Sequence, residues 1–466
     1  MNLPVEPKLG GLPRLLARGG VPTTPQGSHR NQSIILMKTI LFVLLLFAFI
    51  QEVVYPIQLS GLVGLTVQNI VVYSSVLVLL ITEVATGRIF GRKIFGLFGL
   101  SLILIGVTIN FAYHRMLGEV AMAIPLLEHA RYAKSMAFDP VVLYILPFLL
   151  IDYKAQGRRY LIILTSVIGL LNVISLLSNF LGFQLFDMHE HYLDRDRLAG
   201  ITGNPNKTAY MLCMLMPIQY YFFKTPELGL ARWLLLVLIA LEIVFVLLSG
   251  SRGGLITLVL ALGVAFIVYR DYRMMVLAAF SIPIAMIFLF QQSLYFQETL
   301  ERVGVLLSGD LDAASANRFE IWTALLKDFM DTPMATIFGT GFGSAINLGV
   351  GARAHSLYIQ ILVEFGIPGL LVWLGLIWSF ISKARRIVTP GDDHFRAMAL
   401  TSVLVILFAW AFTTLIGVLD LVGVSMGVIF AYFMQLAQAA AAPADPRLRR
   451  TNIAHKGPSQ MRKQRT

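Results

Sequence analysis

One feature recurs from end to end of this chain: long apolar runs with almost no charge, several of them about the 20 residues that a helix needs to cross the hydrocarbon layer. They fall near 34–57, 62–82, 94–113, 138–152, 160–185, 207–223, 233–250, 254–269, 274–292, 357–382, 397–417 and 420–437, the fourth being short. A backbone in lipid must satisfy its own hydrogen bonds, so such runs predict helices and exclude open sheet. Composition agrees, with 57% hydrophobic and 14% charged residues, against about 25% charged in soluble domains. The expected fold class is an all-α polytopic membrane protein with about 12 transmembrane helices.

Loop charge orients the bundle. With the N-terminus inside, 26 of the 37 lysines and arginines fall in the inner loops and tails, which is the bias that sets membrane orientation. Both termini are therefore expected to be cytoplasmic. The chain divides into a cytoplasmic N-terminal segment 1–33, helices one to nine over 34–292 and a long external loop 293–356 that contains helices. Helices ten to twelve follow over 357–437, then a basic cytoplasmic tail 438–466. Residues 1–33 are too long and mixed for the charged start of a signal peptide, so the first run reads as an uncleaved helix. Part of 114–137 reads as a re-entrant or interfacial helix. No internal repeat is visible, which weakens an inverted-repeat transporter architecture. The net charge of +11 belongs to the loop bias, so the expected partner is the phospholipid bilayer and no nucleic acid. Cys213 lies in an apolar run and reads as a small buried hydrophobe.

Four clusters on the outer side carry chemistry. The first is Arg195-Asp-Arg197-Leu-Ala-Gly200 followed by Gly203-Asn204-Pro205-Asn206. Gly-Asn and Asn-Pro mark a turn, and Asn206 is a candidate cap for the next helix. That reading leaves two arginines unexplained on the side where positive charge is depleted. The second, Ser249-Gly-Ser-Arg252-Gly-Gly, is a tight hairpin. Arg252 there is either a snorkelling or ion-paired arginine or a fixed ligand for phosphate oxygens.

The third cluster, Asn317-Arg318-Phe-Glu-Ile-Trp322, predicts a helix to about Met330 with Arg318 and Trp322 on one face. Trp322 serves there as an interfacial anchor or as a sugar-stacking platform. The fourth is His355-Ser-Leu-Tyr358, with Glu364 about two and a half turns on. Histidine is suited to exchange a proton near neutral pH, and also caps helices.

Other patterns carry less. The glycines from Gly339 to Gly351 do not open a helix in a βαβ unit, so they are no nucleotide fingerprint. Asp187, His189, Glu190, His191 and Asp194 come nearest to a metal site but lack ligand spacing. No cofactor and no metal are expected.

Arginines plus a histidine suit a preactivated substrate, such as a sugar on a lipid diphosphate. The diphosphate leaves with guanidinium groups stabilising its charge, and a base takes the proton of the acceptor hydroxyl. The motifs Arg197-Leu-Ala-Gly200…Asn204-Pro205-Asn206, Ser249-Gly-Ser-Arg252-Gly, Asn317-Arg318-Phe-Glu-Ile-Trp322 and His355-Ser-Leu-Tyr358…Glu364-Phe-Gly366 together resemble the O-antigen ligase family, over roughly residues 195–375.

The resemblance implies a GT-C-type glycosyltransferase, independent of metal and nucleotide, at the periplasmic face of the Gram-negative inner membrane. It would move O-antigen polysaccharide from an undecaprenyl-diphosphate-linked glycan donor to a lipid A–core acceptor. It implies that loop 293–356 is periplasmic and that His355 is the catalytic base or orients the acceptor. Arg197, Arg252 and Arg318 become diphosphate ligands, with Asn204, Asn206, Trp322, Tyr358 and Glu364 in support. O-antigen polymerases and protein O-oligosaccharyltransferases share much of the pattern. A polysaccharide or lipid flippase is the reading from another class, and would rest on Glu83, Asn110, Asn172, Glu242 and Glu364 within the helices.

Overall fold

A computed structural model describes residues 25–54, 66–86, 139–151, 157–181, 198, 200–292, 318–331, 334–341, 354–386, 393–412 and 427–433, with positions 106, 108–110, 112, 134, 344, 423 and 435. The described residues are almost wholly helical: α1 (Pro25–Val54), α2 (Val67–Ala85), α3 (Asp139–Leu150), α4 (Gly157–Phe180), α5 (Pro205–Lys224), α6 (Ala231–Leu248), α7 (Arg252–Tyr269) and α8 (Tyr272–Gln292). Then come α9 (Arg318–Asp331), α10 (Ala335–Phe338), α11 (Leu357–Arg386) and α12 (Asp393–Ala409). Among them six helices are long and apolar enough to cross a membrane, within α1, α2, α4, α6, α7 and α11. The chain is a multi-pass membrane protein. The third expected run, 94–113, and the re-entrant segment in 114–137 fall almost wholly outside the described residues.

The bundle is built around α5. Its side chains from Thr208 to Tyr220 are buried on every face, as expected of a helix that is enclosed by others. It packs against α12, α7, α6 and α4. Cys213 is fully buried there, with its thiol directed at the Gly254 carbonyl 3.6 Å away, as a small hydrophobe should be. The outer helices show the opposite pattern. Phe47 on α1, Phe280 on α8 and Trp378 on α11 are 67%, 69% and 70% exposed. Rows of such side chains are untenable in water and ordinary against lipid.

Polar residues inside the bundle join helices to one another. Glu242 on α6 accepts from the Gln219 amide at 2.8 Å, and the same amide donates to the Thr165 carbonyl at 3.3 Å. Gly169 makes room, since a Cβ there would lie 2.2 Å from the Glu242 carboxylate. Asn172 accepts from the Ile201 amide at 3.4 Å, and Glu83 faces Lys38 at 3.5 Å.

Contacts between loops sort the two ends of the bundle. At one end Lys38 donates to the Leu149 carbonyl at 2.5 Å, Tyr220 and Lys224 reach Asp271, and Arg158 lies over Tyr221 and Phe395. Partial burial opposes charge on Asp271, but donation from Lys224, Tyr220 and the Met274 amide outweighs it and holds the carboxyl below its usual range. At the other end Tyr73 donates to Asp139 at 2.8 Å. Helices α2 and α3 thus run parallel, with both starts at one end and both finishes at the other. A single crossing by 94–113 would require that arrangement.

Candidate functional site

At the end opposite Lys38 and Asp271, the α4–α5 connection closes on a 3-10 turn, Gly200–Thr202. Gly200 has φ 63°, and a Cβ there would strike Phe245, Asn172 and Thr208. The helix cap is Asn204, not Asn206: its Oδ1 accepts from the Asn206 and Lys207 amides at 3.0 and 3.2 Å. Pro205 occupies the first helical position, where its missing N–H costs nothing. Asn206 is therefore inside α5, half-buried beside its cap. Arg197 lies outside the described residues, as does the group Asp187–Asp194.

Arg252 opens α7. Ser249 and Ser251 shape the hairpin before it, with the Ser249 hydroxyl donating to the Val246 carbonyl at 2.7 Å and Ser251 accepting from the Gly254 amide at 3.0 Å. Gly250 takes φ 60°. Gly253, beside Arg252, lies under the Tyr210 hydroxyl of α5, where a Cβ would come within 1.9 Å of the oxygen.

Arg318 opens α9 and reaches the same place from the other side. Its guanidinium donates to the Phe412 carbonyl at 3.1 Å and lies near the Tyr210 hydroxyl. Four turns of helix follow, as expected, and Trp322 stands on the Arg318 face. Its indole N–H donates to the Ala354 carbonyl at 2.6 Å, so it fixes the backbone that leads into His355.

His355 is exposed and sits at φ 49°, in the left-handed region. Only a few per cent of non-glycine residues do so, histidine among the more frequent. The strain is held from both sides. Ala354 is tied to Trp322, and the Leu357 amide donates to the Trp410 carbonyl at 2.9 Å. Tyr358 adds a bond from its hydroxyl to the Leu407 carbonyl at 2.8 Å.

The gathering point is the C-terminal end of α12 and the turn after it. A helix end leaves carbonyls without intrahelical donors and carries partial negative charge. Here Leu407, Trp410 and Phe412 receive Tyr358, the Leu357 amide and Arg318. Arg318 and the His355 loop are thus fixed on one support, and Tyr210 links Arg318 to the residue beside Arg252. Tyr210 was not legible as a site residue, being one phenol in an apolar run.

Glu364 is fully buried and receives the Gln360 amide at 3.2 Å. Nine residues at 1.5 Å each put it roughly 13 Å along the helix from His355, beyond direct proton exchange with it. It precedes a break. Gly366 has φ 73° and ψ −176° inside α11, which divides the expected run 357–382 into two helical pieces. The short helix α10 crosses this break so closely that a Cβ on Gly366 would lie 2.6 Å from the Ile337 carbonyl oxygen.

Among the described residues no three His, Cys, Asp or Glu side chains come together as metal ligands. A protein family described as O-antigen ligase matches residues 234–374. No curated protein matches the chain. The matched region contains Arg252, Arg318, Trp322, His355, Tyr358 and Glu364, and stops short of Arg197, Asn204 and Asn206. Over residues 234–374, from α6 into the second piece of α11, this chain is similar to the O-antigen ligase family.

Proposed function

We propose that the protein is an O-antigen ligase: a GT-C-type glycosyltransferase that moves O-antigen polysaccharide from undecaprenyl diphosphate to lipid A–core oligosaccharide. In this reading it crosses the Gram-negative inner membrane about 12 times, with both termini cytoplasmic and the site in the periplasm. The observation that carries the proposal is the common support of Arg318 and the His355 loop at the end of α12, with Tyr210 joining them to the start of α7.

The acceptor hydroxyl oxygen forms a bond to the anomeric carbon of the donor sugar, and the bond from that carbon to the diphosphate breaks. His355 takes the hydroxyl proton, and its exposure leaves room for an acceptor. Arg252 and Arg318, joined by Arg197, bind the leaving diphosphate and stabilise the charge it gains. The donor carries its own activation, so the chemistry needs neither nucleotide nor metal. The deep polar residues that a flippase would employ, Glu83, Asn172 and Glu242, bind neighbouring elements instead, which favours an enzyme.

Purified protein in liposomes, given lipid-linked glycan and lipid A–core, is expected to transfer glycan. His355→Ala should abolish transfer, and Arg252→Ala should weaken donor use by a few kcal/mol. Full activity of His355→Ala would remove the base. Elongation of the lipid-linked glycan with no modified core would make the protein a polymerase.

A further inference from the structure

We infer that Asn110, from the third apolar run, is a positioning residue for the half-helix that carries His355. The inference rests on the proposed function for its kinetic reading alone. The first piece of α11 runs from Leu357 to the break at Gly366, and its final carbonyls are orphaned by sequence. The i+4 donor for Glu364 would be the amide of residue 368, but Pro368 has none. The i+4 donor for Val363 would be Ile367, which lies beyond the break. Both vacancies are filled from elsewhere. The Thr340 amide and hydroxyl donate to the Val363 carbonyl at 2.7 and 3.0 Å. The Asn110 amide donates to the Glu364 carbonyl at 3.0 Å.

A carboxamide has two N–H donors, and Asn110 uses the same nitrogen on the Phe338 carbonyl, where α10 ends. One side chain thus closes two helix ends that belong to different segments, at the place where Gly339 and Gly366 let their backbones touch. Asn110 is 6% exposed, so water does not replace these bonds.

The half-helix is therefore held at two points. Near His355 it is tied to Trp410, and at its far end to Asn110 and Thr340. Over a lever of roughly 13 Å, a tilt of about 10° moves the His355 end by about 2 Å. A misplacement of about 1 Å can cost about a hundredfold in rate. Arg252 opens α7, outside this clamp, so donor contacts made there do not ride on the lever.

The experiment uses the full chain in liposomes with Asn110→Ala, Asn110→Asp and Thr340→Val. Asn110→Asp keeps the shape and replaces both donors with acceptors. Both Asn110 variants are expected to lower kcat about tenfold or more, with KM for the lipid-linked donor within about threefold. Hydrogen exchange should quicken in peptides over 334–341 and 357–366 and stay unchanged in α5. Thr340→Val should shift exchange in the same two segments by less, and carries the test if the Asn110 variants fail to assemble.

Unchanged exchange in both segments, or a loss confined to KM, would overturn the inference. If wild-type protein transfers no glycan, the proposed function fails, while the exchange data still judge the clamp.

Discussion

Gly253→Ala sets two effects against each other at one atom. The residue is second in α7, an ordinary helical position where alanine should be better than glycine by about 1 kcal/mol. Yet the new Cβ would lie 1.9 Å from the Tyr210 oxygen and 3.0 Å from its ring carbon Cζ. Tyr210 is 1% exposed and has no open space to swing into. Overpacking of this kind costs about 1–3 kcal/mol, and displacing the hydroxyl also takes it from beside the Arg318 guanidinium. The net expectation is a loss of roughly 1–2 kcal/mol, opposite in sign to propensity.

Tyr210→Phe supplies the control. It removes the colliding oxygen, so the double variant should be more stable than Gly253→Ala by about 1 kcal/mol or more, though it lacks the hydroxyl beside Arg318. Thermal unfolding in detergent measures both, alongside glycan transfer. A Gly253→Ala protein as stable as wild type, with Tyr210→Phe adding its cost independently, would refute the proposed contact.

His355→Gly should stay within about 1 kcal/mol of wild-type stability, because glycine relieves the left-handed backbone while adding freedom to the unfolded chain, yet lose transfer. His355→Val should lose both, and unfolding curves beside transfer rates decide the matter. Trp322→Phe keeps the ring and deletes the bond to Ala354, so transfer should fall while stability drops by only about 1 kcal/mol. Asp271 is held below its usual carboxylate range, so its contribution is present above about pH 4 and disappears as pH falls through its lowered value. An acid titration of unfolding should show that loss in wild type and a shallower slope in Asp271→Asn.

The helices were readable because lipid imposes length and apolarity, and α6 and α7 match their expected runs to within a few residues. Less was readable where geometry depends on distant partners. The run 357–382 gave no sign of where it divides, although Gly366 and Pro368 mark the break once α10 is seen against it. Asn204 and Asn206 are equivalent as letters, and only the backbone path through Pro205 makes the first the cap. Arg252, Arg318 and His355 stood out as cationic or titratable groups expected on the outer side. Tyr210 and Asn110 did not, since a phenol or an amide in an apolar run says nothing of which carbonyl or arginine it will meet. Glu364 drew notice as a buried acid, but its backbone carbonyl is what the fold uses.

The end of α12 also sets an order of assembly. Residues 318, 355, 357 and 358 are made and inserted before 393–412 has left the ribosome, yet Leu407, Trp410 and Phe412 supply the acceptors for Tyr358, Leu357 and Arg318. Until that segment is made, these groups lack the acceptors that they have in the folded protein. A chain stopped after residue 392 would contain Arg318 and His355, and would lack the support that gathers them.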